Sequence, residues 1–420
     1  MIERIFSRLS LAGLCATFVG NGLGRFAFIA LMPALIQAGW FSKSDASCLG
    51  VATLVGYVVG AALSDALATR VASAWLLRLS MLVCSLSFLA CAIEGAGLPW
   101  YYAWRTAAGV CGALLMVLPA PLVLPRHDAA IRARTSGVVF SGIGLGTAAS
   151  GFLVPLLIAG GPALPFLPLP GVTGAWLGLG AVCLALTVLS WRAWPVEAPA
   201  SSGAAAGPAL PADVRATVAL ILVAHGLNAV GYLAHTMYLP DYVVREMGMP
   251  LAMGGFFWSM FGLGAAVGPM LTGSLADRFG LKRCLLVGFL LKAFSAILPV
   301  VDSSPAALLL SAVLMGICTP GIVALVSAYT LERVGARHHR KAWSLATSSF
   351  AIAQAGGGAL MAYAATHLHS YKVLFGASAM ALLGSTICIA LIREGACSRA
   401  PDNPPVDADL LPAAATHSNP

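Results

Sequence analysis

The chain is 420 residues long, 59% hydrophobic and only 10% charged, with a mean hydropathy of +0.88. Soluble domains carry roughly 25% charged residues, so the composition excludes an ordinary soluble protein and describes a chain that crosses a membrane many times. The net charge of +8 does not argue for nucleic acid, because the basic residues fall in alternate short connections and not in one run or on one face.

An apolar run of about 20 residues is long enough to span a bilayer. In chain order such runs are predicted at 9–38, 46–69, 73–94, 99–124, 135–159 and 173–191, and then at 214–240, 251–275, 284–301, 306–331, 342–366 and 372–392. Arg4 and Arg8 precede the first run as in a signal peptide. The run continues to Ala38, well beyond a signal core of about 7 to 15 residues, so the segment is expected to be retained. Between the sixth and seventh runs, Pro195 to Pro211 (PVEAPASSGAAAGPALP) has no periodicity to bury and reads as a flexible linker. Ser398 to Pro420, with Pro401, Pro404, Pro405 and Pro412, reads as a disordered tail. The expected organisation is a first six-helix half over 1–192, a linker over 193–213, a second half over 214–395 and a tail over 396–420.

Basic residues collect on one side of this arrangement, from Arg4, Arg8, Arg70 and Arg126 through Arg278, Lys282 and Arg283 to Arg340 and Lys341, against Lys43, Arg245 and Lys372 on the other. The positive-inside rule then places both termini in the cytoplasm.

The two halves repeat one another. Gly268 to Arg283 reads GPMLTGSLADRFGLKR and Gly56 to Arg70 reads GYVVGAALSDALATR, so that Asp277 answers Asp65, Gly268 answers Gly56 and Leu275 answers Leu63. Asn228-x-x-Gly231 with Pro240 likewise answers Asn21-x-x-Gly24 with Pro33. A period of about half the chain means two copies of one membrane-embedded unit.

Arg25 lies near the middle of the first run, where an arginine costs about 2.5 to 3.5 kcal/mol on insertion scales. Helical spacing puts Asn21, Arg25 and Phe28 on one face, to be read either as a cavity lining that meets an anion or as a structural hydrogen-bonding seam. Arg105 stands in Arg105-x-x-x-Gly109-x-x-Gly112, a stripe that combines charge with close packing. In the seventh run Asn228, Tyr232 and His235 occupy the places of Asn21, Arg25 and Phe28, and a polar stripe facing a polar stripe is what a midplane solute site requires. His235 is the residue there able to titrate near neutral pH. Gln354, Tyr329, Tyr57 and Trp258 are further cavity candidates or, alternatively, interhelical contacts, and Lys292 is ambiguous because its stem can reach an interface. Asp65, Glu94, Asp241, Asp277 and Asp302 all fall at run ends, which argues against a buried carboxylate as proton carrier and, with two arginines at depth, favours an anionic solute.

No hydrolase, nucleotide-binding or zinc-protease signature is present. His338-His339 has no third ligand, and the ten cysteines form no Cys-x-x-Cys pair. No enzyme activity, metal or cofactor is expected.

With Gly273-x-Leu-Ala-Asp277-Arg278-x-Gly280-x-Lys-Arg283 between runs eight and nine, its degraded copy ending at Arg70, and Arg105 with Gly109 and Gly112, the chain resembles the major facilitator superfamily of secondary transporters. Gly22-Leu23-Gly24-Arg25-Phe26-Ala27 followed by Pro33, Gly39 and Trp40 is similar to the opening helix of its YbfB/YjiJ branch. The resemblance implies an all-α membrane fold of twelve transmembrane helices in two pseudo-symmetric halves, working as a monomer in the inner membrane of a bacterium. It implies a central cavity lined by spans one, four, seven and ten, and a conformational latch of Asp65, Gly273, Asp277, Arg278, Gly280 and Arg283. A drug-antiporter motif with Gly-Pro in the fifth span is missing, Ser150-Gly151 standing in its place. The resulting expectation is a carrier of a small solute, an organic anion by charge, with a coupling proton or counter-anion as the second passenger. The alternatives are a multidrug or metabolite efflux pump, or a non-transporting membrane receptor.

Overall fold

In a bilayer no water satisfies the peptide groups, so each apolar run must close its own N–H and C=O groups and becomes a helix. The computed structural model describes residues 5–128, 131–160, 171–195 and 212–392. Twelve spanning helices follow in chain order. The first bundle holds α1 (Arg8–Gln37), α2 (Lys43–Ala68), α3 (Ser73–Cys91), α4 (Leu98–Arg126), α5 (Arg132–Ala159) and α6 (Val172–Ser190). The second holds α7 (Val214–Glu246), α8 (Leu251–Phe279), α9 (Leu281–Val301), α10 (Pro305–Gly335), α11 (336–367) and α12 (Lys372–Ala390). By length and hydropathy 11 of the described helices suffice to cross a membrane. The remaining one, α11, follows α10 across a break at Gly335, whose φ of 71° is a left-handed value suited to glycine.

Local chemistry sets the ends. Ser42 caps α2 by accepting from the Asp45 N–H at 3.1 Å, while the Asp45 carboxylate accepts from the Ser42 N–H at 3.3 Å. Gly280, with φ of 86°, makes the turn between α8 and α9. The motif glycines allow close helix approach at matching places in the two halves. A Cβ on Gly56 of α2 would lie 2.2 Å from the Thr106 carbonyl of α4, and one on Gly268 of α8 would lie 2.2 Å from the Ile317 carbonyl of α10. The repeat read in the sequence is therefore a repeat of packing.

Two spans are broken. In α1 the chain widens into a π-helical turn at Phe18–Leu23 and resumes α-helix at Ala27. In α7 one helix ends at Gly231 and the next begins at Leu233. These breaks carry Arg25 and Tyr232, which places irregular backbone where two bundles face each other.

The bundles meet along α5 and α8, where a Cβ on Gly144 would lie 2.2 Å from the Ala266 amide and one on Gly137 would lie 3.8 Å from the Met270 side chain, and at the end away from the basic connections. Trp258 donates to Ser150 Oγ at 3.2 Å, Ser259 Oγ donates to the Ala148 carbonyl at 2.8 Å, and Lys43 Nζ lies 4.2 Å from the Tyr371 ring centroid. At the basic end Asp65 and Asp277 are exposed, and among the described residues neither carboxylate has a hydrogen bond or ion pair.

Arg78 of α3 donates to the carbonyls of Trp191 at 2.9 Å and Trp194 at 3.1 Å, and Trp194 is buried. Residues 193–195, read from sequence as the start of the linker, are thus tied to the first bundle. The rest of the expected linker up to 211, and the expected tail, lie outside the described residues.

Candidate functional site

The centre of the structure is a chain of polar contacts that crosses from one bundle to the other. Arg25 Nη2 donates to the Tyr232 hydroxyl at 2.8 Å, and Gln354 Nε2 of α11 donates to the same oxygen. The Arg25 guanidinium also lies 5.5 Å from the Tyr57 ring centroid and 4.8 Å from that of Phe26. Tyr232, Gln354 and Trp258 are all buried, and Trp258 closes the side of the site with its ring 5.9 Å from Phe26.

Arg105 of α4 is 1% exposed, lies 4.8 Å from the Phe28 ring centroid, and has no hydrogen-bond partner for Nε or Nη2. A narrow cavity joins it to Arg25, bordered by Thr53 and Leu54 from the first bundle and by Thr236 and Met237 from the second. It has room for about one water molecule. The two arginines thus face a narrow space between the halves, closed on the second-half side by Leu233, Thr236 and Met237.

Lys292 of α9 completes the group. It is 0% exposed, its Nζ donates to Asn228 Oδ1 at 2.8 Å, and the same Nζ lies 5.0 Å from the Tyr232 ring centroid. Arg25, Arg105 and Lys292 are three basic side chains at the core, and among the described residues none has a carboxylate partner. Arg245 pairs with Asp241 at 3.2 Å. Asp241 lies near the end of α7, as read from sequence, yet its side chain is buried, where it also accepts from the Tyr371 hydroxyl.

Sequence reasoning needs correction at two points, and Tyr329 and Lys292, each open to two readings, find their places. Asn21, Arg25 and Phe28 do not share one face, because the wide turn and the break after it abolish the α-helical period. Asn21 Nδ2 donates instead to the Gly112 carbonyl of α4 at 3.0 Å, Arg25 reaches α7, and Phe28 packs beneath Arg105 and beside Trp176. His235 turns away from the cavity into the seam with α10, where Nε2 pairs with Ser311 Oγ at 2.8 Å and the ring meets Phe375 edge-on. Tyr329 accepts from Arg333 Nη2 at 3.0 Å and does not border the cavity. Lys292, ambiguous in the sequence, belongs to the centre. Arg25, Arg105, Tyr232 and Gln354 meet at or beside the cavity, and Asn228 joins them through Lys292.

Two six-helix bundles with pseudo-symmetric packing, broken first and seventh helices and a polar centre define a transporter of the major facilitator type. The pattern of the family described as "Uncharacterised MFS-type transporter YbfB" matches residues 17–391, and the chain belongs to that family. Among curated proteins, it is 33% identical over 75 residues to an uncharacterised MFS-type transporter, YfiU of Bacillus subtilis, and 36% identical over 98 residues to solute carrier family 22 member 1 of Oryctolagus cuniculus. Those stretches cover 18% and 23% of this chain but only 14% and 17% of the two relatives. Among solved structures, a mutant of the nucleoside transporter NupG superposes with a TM-score of 0.69 over 91% of this chain and 99% of that one, at 10% identity. A bacterial homolog of the human lysosomal transporter Spinster, inward-facing and unoccupied, gives 0.63 over 91% and 93%, at 14% identity. At such identities the likeness shows a common fold.

Proposed function

We propose that this chain is a secondary active transporter that moves a small organic anion across a bacterial inner membrane by alternating access, with no enzymatic step. The observation that carries the reading is the Arg25–Arg105 pair beside an inter-bundle cavity with no carboxylate to balance it. Buried guanidinium groups are costly without a counter-charge, and the unpartnered Nε and Nη2 of Arg105 are donors suited to a carboxylate, sulfonate or phosphate group. In this structure the Tyr232 hydroxyl is the acceptor for Arg25 Nη2. An incoming anion takes over that guanidinium edge, lowers the cost of closing the bundles over it, and so favours reorientation.

In this reading residues 1–192 and 214–395 are the two rocking bodies, 193–213 links them on the cytoplasmic side with both termini, and a single copy suffices. The motif residues Asp65, Gly273, Asp277, Arg278, Gly280 and Arg283 form the latch of the opposite state. The exposure of Asp65 and Asp277 at a basic end where their carboxylates make no bond among the described residues fits a state in which that end is open.

A second reading, export of apolar compounds, draws on a lateral recess of about 730 Å³ between α5 and α8, lined by Phe152, Pro155, Phe256 and Met260. One experiment separates the two. Purified protein in proteoliposomes is offered labelled succinate, isethionate and glycerol 3-phosphate beside choline and a lipophilic cation dye. Uptake of at least one anion is expected, falling about tenfold or more in Arg25→Ala and Arg105→Ala. Anion uptake unchanged in both variants removes the arginine role, and movement of the dye alone favours export.

A further inference from the structure

Lys292 is the buried basic group that does not line the Arg25–Arg105 cavity. Its position about nine residues from the nearer end of α9 puts the amine too deep to reach an interface, and its one hydrogen bond is to a neutral amide oxygen. The titratable groups around it are His225, Tyr232 and His235 of α7 and Cys318 of α10. The carboxylates of the helices packed against α9 lie at their ends, Asp241 and Glu246 on α7, Asp277 on α8 and Glu332 on α10, and α12 has none. A lysine in such surroundings exchanges its proton readily, whereas an arginine keeps its own.

Tyr232 connects this amine to the anion cavity. Its hydroxyl is held by Arg25 and Gln354, and its ring covers Lys292 Nζ at 5.0 Å. Anything that takes Arg25 from Tyr232 therefore changes the environment of the amine through a single side chain. We propose that Lys292 is the proton-binding site of the cycle, taking up one proton to become an ammonium when an anion occupies the Arg25–Arg105 cavity and releasing it when the anion leaves. The neutral amine accepts a proton from water and returns it to water, so no other reactant is required. A monoanion and its proton then cross together with no net charge. The assignment rests on the anion reading above, and it supplies the proton carrier that the absence of a central carboxylate otherwise leaves without a residue.

The test has one arm that needs no solute. The chain has five lysines, Lys43, Lys282, Lys292, Lys341 and Lys372, so protein carrying 15Nζ-lysine in lipid bilayers gives a spectrum that Lys292→Gln assigns by difference. Between about pH 5 and pH 9 the Lys292 signal is expected to pass from ammonium to amine while the other four remain ammonium. A Lys292 signal that stays ammonium, or stays amine, over the whole range overturns the proposal. If Lys292→Gln does not fold, Lys292→Met serves for the assignment. In the second arm, vesicles with an entrapped pH dye report proton entry when succinate, isethionate or glycerol 3-phosphate is added. In Lys292→Gln the protons entering per anion moved are expected to fall about tenfold or more, and an unchanged proton-to-anion ratio overturns the assignment. Failure of every anion to move sinks the anion reading alone, because the spectroscopic arm still reports on the lysine.

Discussion

Arg25 and Tyr232 occupy corresponding positions in the two repeats, each following the glycine of an Asn-x-x-Gly sequence, and they hydrogen-bond to one another across the bundle interface at 2.8 Å. Each lies where its helix is interrupted. The duplication thus brings two breaks together and fills them with a donor on one side and an acceptor on the other. The first half contributes fixed positive charge and the second a neutral hydroxyl able to give way.

If the Tyr232 hydroxyl stands in for solute at Arg25, removing it leaves the guanidinium free. Tyr232→Phe is expected to fold and to bind the transported anion about 2- to 10-fold more tightly, since a hydrogen bond worth roughly 0.5 to 1.5 kcal/mol no longer has to be broken. Isothermal titration calorimetry of the variant beside wild type reads this directly. Weaker binding would mean that the hydroxyl touches the solute.

Arg105 trades stability for function. With two guanidinium nitrogens buried and unpartnered, Arg105→Met is expected to raise the unfolding free energy by about 1 to 3 kcal/mol while abolishing anion transport. Thermal unfolding in detergent and vesicle uptake, measured on one preparation, check both halves of the statement. A less stable Arg105→Met would show that the arginine is a structural tie.

The close approaches at Gly56 and Gly268 leave no space for a branched side chain. Gly56→Val and Gly268→Val are each expected to destabilise the protein by about 2 kcal/mol or more, because the obstacle is a backbone carbonyl and not a mobile side chain. Lower melting temperatures in both variants, and not in Gly273→Ala where a Cβ meets nothing, would establish the matched packing.

At the end away from the basic connections, Tyr371 donates to Asp241, stacks on Tyr238 at 5.0 Å and lies under Lys43 of the other bundle. Burial and the adjacent Asp241 carboxylate push the Tyr371 phenol upward, so it remains a donor at any physiological pH. Tyr371→Phe leaves the buried carboxylate without this bond, at an expected cost of about 1 to 3 kcal/mol. Lys43→Ala is expected to weaken closure there and to raise amide hydrogen exchange at the ends of α2 and α11 on that side.

Asp65→Asn and Asp277→Asn behave differently if the latch belongs to the other state. Both carboxylates are exposed and bond to nothing among the described residues, so neither change is expected to alter thermal unfolding of the state described here by more than about 0.5 kcal/mol. Transport is expected to fall several-fold. Loss of thermal stability with normal transport would assign the motif to packing.

Much of the architecture was legible in the sequence because membrane insertion is a local matter. Hydropathy over about 20 residues and the placement of Lys and Arg are read one segment at a time, and the observed helices match the predicted runs to within several residues at each end. The site was legible in part. Arg25 and Arg105 stood out because a cation at depth has few reasons to be there. Lys292 obeys the same rule but reads as ambiguous from sequence, although its distance from both ends of α9 is a sufficient signal. The shared face assigned to Asn21, Arg25 and Phe28 assumed a regular helix, and nothing local in Phe18–Leu23 announces a π turn. That turn is favoured by contacts from elsewhere, such as Asn21 with Gly112.

The sequence by itself determined the number of crossings, the duplication and the burial of positive charge, since each follows from the transfer of short segments out of water. Only the tertiary structure decided which polar residue meets which. His235 and Tyr232 lie three positions apart in one span, the first beyond its break and the second at it, yet one turns into a seam and the other into the inter-bundle gap. That choice depends on the rotation of each helix about its axis, and the rotation is set by side chains that arrive from distant parts of the chain.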